Sequence, residues 1–304
     1  MSIVKIILFI LSIISIVAFA LIVNYKNSKY RQCDKKETYE SSSKIPLYVT
    51  TLSNAVSKKR SSAQRVVFNK FNLSNIKYNP ALHWKHDAKK IERQYPQLVK
   101  DCKKFIDRKG AYGLTASFLQ FINTNVNANA KLIGWVEDDV IPAGAEINLD
   151  ATKDIVNQIN KSYKVDHNIV KQFNTLYNNV LENLPKSIND VYFFGHTSYC
   201  NNKSLIRRKS DDLWIQIDKS DKYQAGGPGT SFIIFTPNAI KSIYKWVNEN
   251  KIDLPIDMLF MKLIKDNIIT GWEVNRSITY NKMFYGLFEQ MGTYCEHRQN
   301  NTID

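Results

Sequence analysis

Cysteine is scarce in this 304-residue chain: Cys33, Cys102, Cys200 and Cys295 lie far apart with no paired spacing. That spacing offers no basis for a structural zinc site. Cys33 falls in a polar linker, so the count admits one disulfide or none. Histidine numbers only five, and His83, His86, His167 and His196 show no ligand spacing. Glycine makes one cluster, Gly226-Gly227-Pro228-Gly229. It lacks the strand, GxGxxG and helix order of dinucleotide sites, so no nicotinamide cofactor is expected. No internal repeat is present. Acidic residues are outnumbered, 28 Asp and Glu against 42 Lys and Arg, for a net charge of +14.

What is present describes a folded protein: 44% of residues are hydrophobic and 12% aromatic. The length suits one large domain or two small ones, with a substantial core. The positive charge is concentrated between Ser57 and Lys109, with fifteen Lys or Arg against four acids. Such a patch fits nucleic acid, anionic lipid head groups or phosphorylated small molecules. A solvated basic face is the plain alternative in a chain rich in Lys, Asn and Ile.

Residues 6–23 are eighteen uncharged positions, about the minimum for a helix that spans a bilayer. The run exceeds a typical signal-peptide core, and no small-x-small cleavage site follows it. It therefore reads as an uncleaved signal-anchor, which makes the protein a single-pass membrane protein. The expected layout is an anchor at 1–23, a polar stalk at 24–44 and a globular domain at 45–304. Lys26, Lys29, Arg31, Lys35 and Lys36 flank the run on its C-terminal side against Lys5 before it. The positive-inside rule then puts the domain in the cytoplasm. Sequons such as those at Asn72, Asn202, Asn275 and Asn300 would matter only in a secretory lumen. The side of the membrane stays open.

Leu47-Tyr48-Val49-Thr50-Thr51-Leu52 is β-branched and aromatic and reads as a first strand. A basic helical stretch follows, holding Lys58, Lys59, Arg60 and Arg65. A short strand is expected over residues 73–78, and a helix over residues 111–123 with Leu114, Phe118, Phe121 and Ile122 on one face. Leu132-Ile133-Gly134-Trp135-Val136 reads as a strand covered on both faces. Residues 154–184 are mostly helical, residues 191–195 and 231–236 are strands, and Pro237 opens a helix over residues 238–248. Strands interleaved with helices predict an α/β domain with a mostly parallel central sheet.

Directly behind the strand at residues 132–136 stands Glu137-Asp138-Asp139. Three adjacent carboxylates repel one another and need a counter-charge. At the C-terminal end of a buried strand they sit where α/β sheets hold ligands. A divalent cation with a metal-bound diphosphate is the fitting partner; the plain alternative is a solvated turn after a strand.

The order of motifs resembles glycosyltransferase family 25, which includes lipopolysaccharide-type and collagen galactosyltransferases. Tyr48-Val49-Thr50-Thr51-Leu52 with the basic residues behind it is similar to the family's opening strand and arginine segment. Gly110-Ala111-Tyr112-Gly113, ending in Ser117, resembles its glycine-x-x-glycine helix start. Trp135-Val136-Glu137-Asp138-Asp139-Val140 resembles its apolar-Glu-Asp-Asp-Val signature. Residues 229–243 and then Pro255-Ile256-Asp257 are similar to its late glycine-strand-helix unit and Pro-apolar-Asp motif. The resemblance covers roughly residues 45–260. It departs from the family at Phe118, where a histidine is usual, and in a first strand without Asn-Leu-Asp.

The resemblance implies a GT-A fold and a hexosyltransferase using UDP-galactose or UDP-glucose, with a glycan or protein hydroxyl as acceptor and no nucleic acid as partner. In that arrangement Glu137 and Asp139 would hold Mn²⁺ or Mg²⁺, and Asp138 would hold ribose or sugar hydroxyls. Arg60 and Arg65 would pair with phosphate, and Thr50 and Thr51 would face base and ribose. Gly226 and Gly227 would let backbone approach the donor sugar, or form a plain loop. Asp257 is the candidate general base if the reaction inverts; its other role is N-cap of a helix from Met258. His297 is either a third metal ligand or a surface histidine. Two further readings are an inactive relative that binds a glycan or partner, and a basic membrane-tethered module that binds nucleic acid or anionic lipid through residues 57–109.

Overall fold

Runs of four or five residues with almost no exposed side chain make the centre of the sheet. The structure, a computed structural model, describes residues 44–106, 108–142, 167–194, 213–217, 230–275 and 287–290. The expected anchor, nearly all of the stalk, Gly226, Gly227 and His297 lie outside the described residues. Among the described residues, no helix is long and apolar enough to cross a membrane.

In chain order the elements are β1 (Leu47–Thr51), α1 (Ala55–Lys70), β2 (Ile76–Pro80), α2 (Ala88–Gln94), α3 (Lys103–Ile106) and α4 (Lys109–Asn125). Then follow β3 (Ile133–Glu137), β4 (Val140–Pro142), α5 (His167–Glu182), β5 (Asp190–Phe193), β6 (Trp214–Gln216) and β7 (Phe232–Phe235). The last are α6 (Pro237–Glu249), α7 (Ile256–Lys265), β8 (Thr270–Val274) and β9 (Phe288–Gln290). Seven strands form one sheet in the order β2-β1-β3-β7-β5-β8-β6, and β4 pairs with β9 in a separate ribbon.

The protein is therefore α/β, but the sheet is mixed. Strands β1, β2, β3, β5 and β8 run one way, while β7 and β6 pair antiparallel to their neighbours. The expectation of a mostly parallel sheet holds for strand direction and misses these two reversals. Local signals start the helices. Asn54 accepts the Ser57 N–H at 2.8 Å to cap α1. Thr236 caps α6, with proline in its first turn.

Successive side chains of β3 enter opposite cores. On one face Trp135 packs beneath α4, where Phe118 meets the rings of Trp135 at 5.6 Å and Phe260 at 5.1 Å. On the other, Phe232 stacks on Phe288 at 3.9 Å, and Phe71 of α1 meets Phe173 of α5 at 5.0 Å. Burying side chains of this size contributes about 1.5–3 kcal/mol each, which fixes the sheet and the strand ends that carry the site.

Candidate functional site

From β1 the chain passes outward to β2, then returns past β1 to β3, and all three strands end on the same side. The crevice at such a reversal is where open α/β sheets take ligands. A cavity of about 330 Å³ lies there, bounded by Thr50 of β1, Arg60 of α1 and the acidic residues behind β3.

The acidic wall is held by neutral donors. Glu137 ends β3, and Asp138 and Asp139 form the turn into β4. The buried side chain of Gln64 donates to the carbonyl oxygens of Glu137 and Val140, each at 2.7 Å. Thr230 Oγ1 donates to Glu137 Oε1 at 2.9 Å, and Thr51 Oγ1 donates to Asp138 Oδ2 at 3.0 Å. Arg60 supplies the positive charge, 3.8 Å from Asp138 and 4.0 Å from Asp139. Asp139 is only 9% exposed, and its Oδ1 has no hydrogen-bond partner among the described residues.

Electrostatics follow from this burial. Desolvation raises the Asp138 carboxyl, opposed by the Thr51 hydroxyl and Arg60. Asp139 is pushed up to about 8, first by burial and then by the charges of Glu137 and Asp138.

The opposite wall comes from Leu82, His83 and Trp84 behind β2, and from Gly110, Gly113, Leu114 and Ser117 on α4. The two glycines of the helix start have different reasons. A Cβ at Gly113 would fall 2.6 Å from the Leu82 carbonyl oxygen and 3.0 Å from the Trp84 nitrogen, so glycine there permits close packing. A Cβ at Gly110 would meet nothing within 4 Å. Ser117 accepts the Leu82 N–H and donates to the Gly113 carbonyl, both at 2.7 Å.

Of the residues expected from sequence, Thr50, Arg60, Glu137, Asp138 and Asp139 line this one cavity. Thr51 lies beside it, bonded to Asp138. Arg65 stands elsewhere, exposed, with its guanidinium 5.6 Å from the Tyr78 ring centroid. Asp257 occupies the first turn of α7, not the cap, and accepts the Met258 N–H at 2.9 Å. It does not line the cavity; burial raises its carboxyl, with Arg108 opposing. Phe118 faces the core, so the exchange of histidine for phenylalanine leaves the cavity wall untouched. His83 and Trp84 were not expected here. Their signal was an apolar and aromatic trio, Leu82-His83-Trp84, inside a stretch dominated by charge.

Among the described residues, no three His, Cys, Asp or Glu side chains form a group that would enclose an ion by themselves. The carboxylates are splayed, Glu137 toward Thr230 and Asp138 toward Thr51. The orphaned Asp139 oxygen and the surplus of negative charge nevertheless fit a divalent cation, provided that the bound ligand supplies further oxygens. No protein-family model and no curated protein matches this chain.

Proposed function

We propose that this chain is a membrane-anchored, metal-dependent glycosyltransferase of GT-A type that moves galactose or glucose from a UDP-sugar to a glycan or protein hydroxyl. The observation that carries the reading is the buried, unpartnered Asp139 Oδ1 in a cavity shared with Glu137, Asp138 and Arg60 at the strand ends. A carboxylate so placed is costly without a cation, and the ordered family-25-like motifs favour the same reading.

Glu137 and Asp139 would hold Mn²⁺ or Mg²⁺. When bound, the ion acts as a Lewis acid that stabilises the departing diphosphate. Asp138, steadied by Thr51, accepts hydrogen bonds from ribose or sugar hydroxyls. Arg60 presents its guanidinium to phosphate oxygens. Thr50 accepts from Asn79 at 3.2 Å, which leaves its own proton to donate into the cavity. Should the reaction invert, the acceptor hydroxyl needs a general base, and Asp257, which lies outside the cavity lining, is not placed to serve there.

The test is UDP release from a panel of UDP-sugars with Mn²⁺ or EDTA, for the wild type and Asp139→Ala. Metal-dependent release from one sugar, lost in the variant, supports the reading. Release that ignores both EDTA and the substitution contradicts it.

A further inference from the structure

We propose that His83 and Trp84 form a shelf for a pyranose ring, facing the carboxylates across the cavity; this rests on the transferase reading and adds the sugar subsite to it. Four contacts build the shelf. Ser117 Oγ accepts the Leu82 N–H at 2.7 Å, and Asp87 Oδ2 accepts the His83 N–H at 2.7 Å. His83 Nδ1 accepts the backbone N–H groups of Lys85 at 3.2 Å and His86 at 3.3 Å. Gly113 lets α4 press directly on this backbone. A segment held from so many sides is organised before any ligand arrives, which lowers the ordering cost of binding.

The chemistry displayed is that of sugar recognition. The two rings are nearly parallel, 26° apart with centroids separated by 5.9 Å. At that spacing they stack with an offset, and the His86 ring adjoins His83 with centroids 4.5 Å apart. Both line the cavity. With Nδ1 engaged as an acceptor, the imidazole proton is on Nε2. Neither that N–H nor the indole N–H has a partner among the described residues. Lys109 Nζ sits over the indole ring, 5.1 Å from its centroid, in a cation–π contact that helps to fix the ring. A pyranose offers an apolar C–H face to such rings and hydroxyl oxygens to such donors. Its remaining hydroxyls would meet the carboxylates opposite.

A pyranose could come from the donor or from the acceptor, and one set of titrations separates them. The full-length protein, its Trp84→Ala variant and its Trp84→Phe variant are titrated with UDP, UDP-galactose, UDP-glucose and methyl hexosides in Mn²⁺. For a donor shelf, Trp84→Ala weakens UDP-hexose binding roughly 3- to 10-fold. UDP binding stays unchanged, and Trp84→Phe restores most of the affinity. For an acceptor shelf, UDP and UDP-hexose binding are retained while methyl hexoside binding falls. Should the alanine variant not fold, Trp84→Leu removes the ring and keeps apolar bulk. Unchanged binding of both UDP-hexose and methyl hexosides overturns the shelf. Ring-dependent methyl hexoside binding without any UDP binding keeps the shelf and sinks the transferase reading. A wild type that binds neither sugar ligand overturns both.

Discussion

Gln64 Nε2 lies 2.7 Å from the carbonyl oxygen of Glu137, and its second hydrogen reaches Val140 O at the same distance. One amide thus bridges the two ends of the turn that carries Asp138 and Asp139. Replacing it with leucine leaves two buried carbonyls without their donor, which costs about 2–3 kcal/mol. Residues that orient metal ligands typically change metal affinity by about 10–100-fold when lost. Gln64→Leu is therefore expected to lower both the denaturant midpoint and Mn²⁺ affinity. A stability loss with Mn²⁺ affinity intact would reduce Gln64 to a structural role.

Asp139 gives stability a pH dependence. Its carboxyl titrates near about 3.9 in an unfolded chain and is pushed up to about 8 in the fold. Between those values the folded state keeps a proton that the unfolded state has lost, so stability falls as pH rises through the window. In thermal melts from pH 5 to 8 without metal, the wild type should lose more Tm than Asp139→Asn. Cation binding needs the deprotonated carboxylate, so added Mn²⁺ should raise Tm more at pH 8 than at pH 5. Equal pH slopes for wild type and variant would contradict this.

Phe118→His restores the residue usual in the resembling family. Here the position is fully buried among Trp135, Phe235 and Phe260. An imidazole there loses packing and buries polar nitrogens, at a cost of about 2–4 kcal/mol. The expected outcome is a lower Tm with no gain in UDP release. A gain in turnover would show that position 118 reaches the site.

Sequons separate by exposure. Asn72 is exposed, with φ of 60° in the turn after α1, whereas Asn275 is 1% exposed. If the protein is expressed through a secretory pathway with its domain in the lumen, peptide mass spectrometry should find glycan at Asn72 and none at Asn275. Glycan at Asn275 would contradict the burial of β8's end.

Strand β1 was legible from its β-branched and aromatic residues, and β3, β5 and β7 from their buried, mostly apolar runs. β2 begins later than expected, at Ile76, because Asn72 turns with positive φ and Leu73 bonds back to Phe68. It is also an edge strand, so its exposed Lys77 and Tyr78 weaken the pattern. β8 carries the buried Glu273, and β6 is only three residues long, so neither has a clear periodicity. In the site, the acidic turn was readable from its three adjacent carboxylates. The sequence reading sent both Arg60 and Arg65 to phosphate, yet five residues on a helix turn a side chain by about 140°, and only Arg60 lines the cavity. The His83–Trp84 wall depends on contacts with Ser117 and Gly113, more than thirty and nearly thirty residues away, which no local pattern encodes.

The central claim is that Asp139 completes a cation-dependent nucleotide site, and calorimetry of UDP binding tests it most directly. The protein and its Asp139→Asn variant are titrated with UDP in Mn²⁺ and again in EDTA. The account predicts binding by the wild type in Mn²⁺ only, and none by the variant in either condition. UDP binding of equal strength in EDTA, or in Asp139→Asn with Mn²⁺, would contradict it.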